Sequence, residues 1–207
     1  MPLSIHKNSL LTSCLLACML TPAMAQSPQL GDGATIRPDD SRRLDMLDAT
    51  AGAGLLQGLA AASPDERAAI VDAFSGTARP ANEGLQALQG EWSCQMIKLG
   101  GNLPVVVYSP FKCRAGADGS FEKLSGSQRT KGTIHQDGDR LVYLGTSFIN
   151  GDTPPAYADI PTNAHEDDQT QILPDVGVVE VVRDNHARIL FPAPYRESFI
   201  NVLVLRK

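Results

Sequence analysis

The sequence predicts a mainly β protein, an antiparallel barrel or sandwich of about eight short strands preceded by a short helical segment. Three observations carry this expectation. After Gly90 the apolar residues change from helical spacing to strand-like spacing and keep it to residue 207. Turn residues punctuate that stretch at Gly100-Gly101-Asn102, Gly116-Ala117-Asp118-Gly119, Asp137-Gly138-Asp139, Asp184-Asn185 and Pro192-Ala193-Pro194. The 18 Gly and 14 Pro among 207 residues suit many turns better than long helices.

The chain divides into four segments. Residues 1–25 read as a secretory signal: His6 and Lys7, an apolar run from Leu10 to Leu20, then Ala23-Met24-Ala25 before Gln26. A competing reading takes Leu15-Leu16-Ala17-Cys18 as a lipobox, which would make Cys18 a lipidated N-terminus. The apolar run is too short to cross a bilayer of ~30 Å as a helix, and both readings send the chain out of the cytoplasm, to the periplasm or beyond. Residues 26–40, rich in Pro, Gly, Asp and Gln, read as a flexible leader. Residues 41–89 read as helices. Leu44, Leu47, Leu55, Leu56 and Leu59 mark one weakened by Gly52, Gly54 and Gly58, and a capping box of Ser63, Pro64 and Glu66 starts the next. A third runs over 80–88. Residues 90–207 form the β domain, with candidate strands at 91–99, 105–114, 120–124, 127–135, 140–149, 176–183, 187–191 and 198–206. The one long connection, 150–175, is Pro-rich and acidic and reads as a surface loop of limited order.

Charge and cysteine content narrow the function classes. The net charge is −5, and removal of residues 1–25 takes Lys7 and no acid, leaving −6. That balance gives no reason to expect nucleic acid or an anionic membrane as partner. Cys94 and Cys113 are then an even pair in an oxidising compartment, for which a disulfide is the default. Pairing 91–99 with 105–114 so that Cys94 faces Cys113 puts the turn between residues 103 and 104, beside existing Gly and Pro residues.

The β domain resembles a family of secreted bacterial proteins described as domain of unknown function 4893. The resemblance rests on Gly90-Glu91-Trp92-Ser93-Cys94, Ile97-Lys98-Leu99-Gly100, Phe111-Lys112-Cys113-Arg114, Lys123-Leu124-Ser125-Gly126-Ser127-Gln128-Arg129, Gly132, Asp137-Gly138-Asp139, Leu144-Gly145, Gly177-Val178-Val179-Glu180 and Glu197-Ser198. The sequence departs from the pattern at Gln95 and in the length of the 150–175 loop. The resemblance implies an extracytoplasmic, disulfide-bonded domain and brings no activity with it. Gly90-x-Trp92 is also similar to the opening motif of lipocalin-like barrels, in which a basic side chain of the last strand packs on the tryptophan; Arg206 holds that place here.

The residues offer no catalytic or metal-binding signature. His135, His165 and His186 form no ligand pair, and His135 and His186 fall at strand ends where solvated histidines are expected. His165-Glu166-Asp167-Asp168 is a polar run in a loop. No nucleophile elbow or phosphate-binding glycine loop occurs, and no cofactor is implied. The distinctive polar cluster is Ser127-Gln128-Arg129-Thr130-Lys131, inside a strand. In a barrel, either Gln128 and Thr130 or Ser127, Arg129 and Lys131 would point inward and make a polar binding site. Alternatively, Arg129 forms a structural ion pair with Glu180 or Glu197, or the segment is an edge strand protected by its charge. The sequence therefore favours a non-enzymatic domain that binds a small molecule or an envelope protein. The alternatives are an inhibitor of a secreted protease, blocking its target through a protruding 26–89 segment, and an envelope hydrolase using Glu122, Glu180 or Glu197 with a second carboxylate.

Overall fold

Gly90 is where the chain turns from helices to strands, and the strands beyond it close into a ring. The computed structural model describes Met1, residues 27–167 and residues 169–207. Apart from Met1, the signal and lipobox readings lie outside the described residues.

Among the described residues nine strands come after four helices: β1 (Gly90–Leu99), β2 (Val105–Val107), β3 (Phe111–Ala115), β4 (Ser120–Lys123), β5 (Gln128–Asp137), β6 (Arg140–Ile149), β7 (Leu173–Arg183), β8 (His186–Pro192) and β9 (Ile200–Arg206). Each pairs antiparallel with its neighbour in the sheet, and β9 returns to pair with β1 from Ser93↔Arg206 to Leu99↔Ile200. The sheet is thus a closed eight-strand barrel with β2 as an extra strand, and the sandwich is excluded. Alternation along each strand sends one face inward. Trp92, Phe121, Tyr143, Phe191 and Leu203 fill the interior from one end, with edge-to-face contacts of Tyr143 to Phe121 and Phe191 at 5.7 and 6.0 Å.

The first hairpin departs from the expected register. A single strand over 105–114 is replaced by β2 and β3, both beside β1, interrupted at 108–110 where Pro110 cannot donate to the ladder. Gly100 and Gly101, both at positive φ, start the turn at once, with the Gly100 amide donating to the Pro104 carbonyl at 2.9 Å. The turn is therefore centred earlier than the sequence suggested. Cys113 faces Trp92, Cys94 faces Phe111, and the Cys94–Cys113 disulfide runs diagonally between neighbouring pairs with its Cα atoms 5.9 Å apart.

The helices pack against the barrel. α1 (Pro38–Asp45) lies over β7 and α2 (Leu47–Ala61) over β1 and β8. The glycines expected to weaken α2 let its backbone meet the barrel: a Cβ at Gly54 or Gly58 would lie 2.8 Å from the side chain of Ile200 or Leu99. α3 (Pro64–Phe74) begins at the expected capping box, Ser63 and Glu66 each bonding the other's backbone amide. Beneath α3, the buried Arg188 donates to the carbonyls of Ala73, Ser75 and Gly76 at 3.0–3.2 Å and pairs with Glu180. α4 (Ala81–Leu88) plugs the aromatic end of the barrel, where the Trp92 indole donates to the Leu88 carbonyl at 2.6 Å. Among the described residues no helix is long and apolar enough to cross a membrane.

Two segments that read as loose from their composition make specific contacts with the rest of the structure. Leu30 and Ile36 of the leader are buried against β6 and β7. The 150–175 connection carries two 3-10 turns, gives its last residues to β7, and is bound by the Arg37 guanidinium through the carbonyls of Ile160, Pro161 and Thr162 at 2.8–3.0 Å.

Candidate functional site in the open end of the barrel

The end of the barrel opposite α4 is not filled. It holds a cavity of about 450 Å³, bounded by the last residues of β1, β4 and β6 and the first of β5, β7 and β9. Its floor is the Thr130 hydroxyl bonded to the Tyr143 hydroxyl at 2.8 Å. Met96, Phe111 and Leu173 give it apolar wall.

The inward positions around this cavity are polar. Lys98 continues the inner face of β1 beyond Trp92, Cys94 and Met96; its ammonium donates to the Gln128 side-chain oxygen at 3.2 Å and pairs with Glu197 at the rim. Glu197 has φ 72°, a left-handed conformation uncommon for a residue with a Cβ. Lys123, on the inner face of β4, donates to the carbonyls of Ser125 and Gln128 at 3.0 and 2.5 Å and lies 3.7 Å from the Phe111 ring centre. Burial, together with the charges of Arg129 and Lys98, pulls its ammonium pKa down to about 8. Asp175 enters from the start of β7, enclosed by protein but still bordering the cavity; burial pushes its carboxyl up to about 6, against the opposing pull of Thr130, Arg43 and Lys98.

A second layer holds the mouth in shape. The buried Arg43 of α1 bonds Asp40 at 2.8 Å and the carbonyls of Pro174, Pro192 and Ala193, tying the start of β7 to the end of β8. Tyr195 is packed between Arg43, 4.5 Å from its ring centre, and His165, stacked at 4.8 Å. The Tyr195 hydroxyl donates to Asp39 and that of Tyr157 to Asp40. Burial raises both phenol pKa values, so both stay protonated donors.

The residues singled out in the sequence separate into two groups. Of the two inward sets allowed for β5, the structure selects Gln128 and Thr130. Ser127 and Arg129 border the cavity at its rim, with Arg129 Nε donating to the Gly126 carbonyl at 3.2 Å. Lys131 is exposed outside the barrel, opposite Glu122 in the ladder. The expected ion pair of Arg129 with Glu180 or Glu197 is replaced by Arg188–Glu180 and Lys98–Glu197. Edge protection does not describe β5 either, since β4 and β6 flank it. Trp92 is covered by Lys207 rather than Arg206. The Lys207 ammonium lies 4.2 Å from the indole and is drawn there by the carbonyls of Ala87 and Gln89, while Arg206 points outward to Asp72. His186 is buried at the start of β8 rather than solvated. Within 165–168, His165 is taken up by Tyr195, and Asp168 lies outside the described residues. Sequence reasoning missed Lys98, Lys123, Asp175 and Arg43. The first two had a readable signal, the parity set by Trp92 and Cys94 along β1 and by Phe121 along β4.

A family model described as a domain of unknown function (DUF4893) matches residues 33–205. No curated protein and no solved structure matches the chain.

Proposed function

The chain belongs to the DUF4893 family, and we propose that it is an extracytoplasmic binding protein that holds a small molecule in the open end of its barrel. The observation that carries this reading is the contrast between the two ends. One is packed with aromatic side chains and plugged by α4, while the other keeps a cavity of about 450 Å³ lined by a few polar groups on apolar wall. At roughly 30 Å³ per water, that is the space of about fifteen waters, small for a protein segment and suitable for a compact organic molecule. The docked helices support this reading over protease inhibition, because described residues 27–89 lie against the barrel instead of projecting from it. The hydrolase reading has little support, because Glu122, Glu180 and Glu197 sit beside Arg114, Arg188 and Lys98 respectively. The signal-like N-terminus and the disulfide support an oxidising compartment outside the cytoplasm.

Native mass spectrometry of the chain exported to a bacterial periplasm tests the proposal. The expected result is an added mass in the native spectrum that disappears on denaturation and is missing from Ser147→Phe, which places a ring in the cavity. The same added mass in both proteins would put the ligand elsewhere, and a bare chain in both would refute capture from that compartment.

A further inference from the structure

Resting on the small-molecule reading above, we propose that the cavity is built for an amphipathic organic anion, its acid group held among Lys98, Lys123, Gln128 and Asn201 and its apolar body against Met96, Phe111 and Leu173. Charge is the first argument. The whole chain carries −5, yet among the described residues the cavity is bordered by five basic side chains and two acidic ones, Asp175 and Glu197. Arg43 is committed to Asp40 and Lys98 to Glu197. Lys123 and Arg129 have only backbone carbonyls as hydrogen-bond acceptors among the described residues. A buried ammonium without a carboxylate is costly to maintain, and an incoming anion supplies the missing partner.

The orientation of the two amides is the second argument, and it is independent of net charge. The Gln128 side-chain oxygen accepts from Lys98 at 3.2 Å, and the Asn201 side-chain oxygen accepts from the Ser198 hydroxyl at 2.6 Å. Each amide therefore spends its acceptor on the protein, and its NH2 has no partner among the described residues. Both residues border the cavity, so two ammoniums and two amide NH2 groups converge on one space. A neutral alcohol would satisfy few of these donors, whereas a carboxylate or sulfonate has four or more lone pairs to offer. The ring of Phe111 lies beneath Lys123, which brings apolar wall directly against the charged group, the arrangement an amphipathic ligand needs.

Calorimetric titration of the full chain with three probes of equal length, decanoate, decanol and decyltrimethylammonium, tests the ligand class. Decanoate is expected to bind at least about tenfold more tightly than either of the others at low salt. Lys123→Met is expected to remove that preference, decanoate then binding no more tightly than decanol to the same variant. Should that variant fail to fold, the wild-type pH profile decides. From about pH 7 to pH 9.5 decanoate affinity falls as Lys123 loses its proton and decanol affinity stays level. Arg43, Arg129, Arg196, Lys98, Glu197 and Asp175 also face this space. Asp175 is already ionised above about pH 6, and the raised pKa of Tyr143 keeps that phenol neutral. Equal binding of decanol and decanoate, a preference for the cation, or a flat decanoate profile overturns the anion inference and leaves the cavity as a binding site. No binding of any probe overturns both.

Discussion

Removing the Cys94–Cys113 bridge gives a prediction whose size is set by the fold. The two cysteines are 19 residues apart in sequence, and closing a loop of that length restricts the unfolded chain by roughly 3 kcal/mol in the chain-entropy model. For a protein of this size each kcal/mol moves the melting temperature by about 2–4 °C, so reduction should lower it by about 6–12 °C. The sulfur atoms also belong to the core, since both cysteines are fully buried. Cys94→Ala with Cys113→Ala removes them and should cost more than reduction by on the order of 1–2 kcal/mol, the penalty for the vacated volume. The assay is thermal unfolding, monitored by circular dichroism, of the oxidised protein, the reduced protein and the double variant. Reduction that shifts the midpoint by less than about 2 °C would refute the loop-closure argument. A double variant no less stable than the reduced protein would refute the packing argument.

Two further predictions concern buried charge. The Asp175 carboxyl is raised to about 6 in the folded protein, above its ordinary value of 3.8. Between these values the folded chain keeps a proton that the unfolded chain has lost, so stability falls as pH rises from about 4 to about 6. Asp175→Asn should flatten urea-unfolding stability over that window and make the protein more stable near pH 7 by on the order of 3 kcal/mol; an unchanged slope would show that another group titrates there. Arg188→Met should destabilise by about 2–4 kcal/mol, because it strips the donors from three carbonyls at the end of α3 and leaves Glu180 without its base. Hydrogen exchange should show α3 amides losing protection before those of β8, and uniform loss across the barrel would contradict the assigned role.

Local signals in the sequence were strong enough to place most elements. Ser63 and Glu66 start α3 because a capping box needs only residues three apart. Strand β6 matches its predicted range because Arg140–Ile149 continues from a turn of Asp, Gly and Asp without interruption. The β2–β3 break was harder to read. Pro110 marked it, but the register also depended on two consecutive left-handed glycines starting the turn. Inward parity was readable where an obligate core residue fixed it, as Trp92 does for Lys98. It could not be assigned for β5, where Gln128 through Lys131 contain no apolar residue. The mouth was not legible at all. Arg43 reaches Pro174 and Ala193 across more than a hundred residues of chain, and only barrel closure brings those segments together.

The cavity carries a folding cost. Near neutral pH, burial disfavours the charge on both Lys123 and Asp175, as the lowered ammonium and raised carboxyl pKa values record. Each therefore subtracts from the stability of a barrel whose other end shows how readily aromatic side chains fill the same cross-section. Structural economy alone would replace Lys98, Lys123 and Asp175 with packed apolar residues, since exchanging buried ionic groups for hydrophobic ones of similar volume is often neutral or stabilising. The α1 network adds to the argument. Arg43, Tyr157 and Tyr195 cross-link the segments around the mouth, which holds the cavity in shape. A preformed, donor-rich cavity of this kind has its ordering cost met during folding, so an anion that fits it gains the full interaction without having to assemble the site.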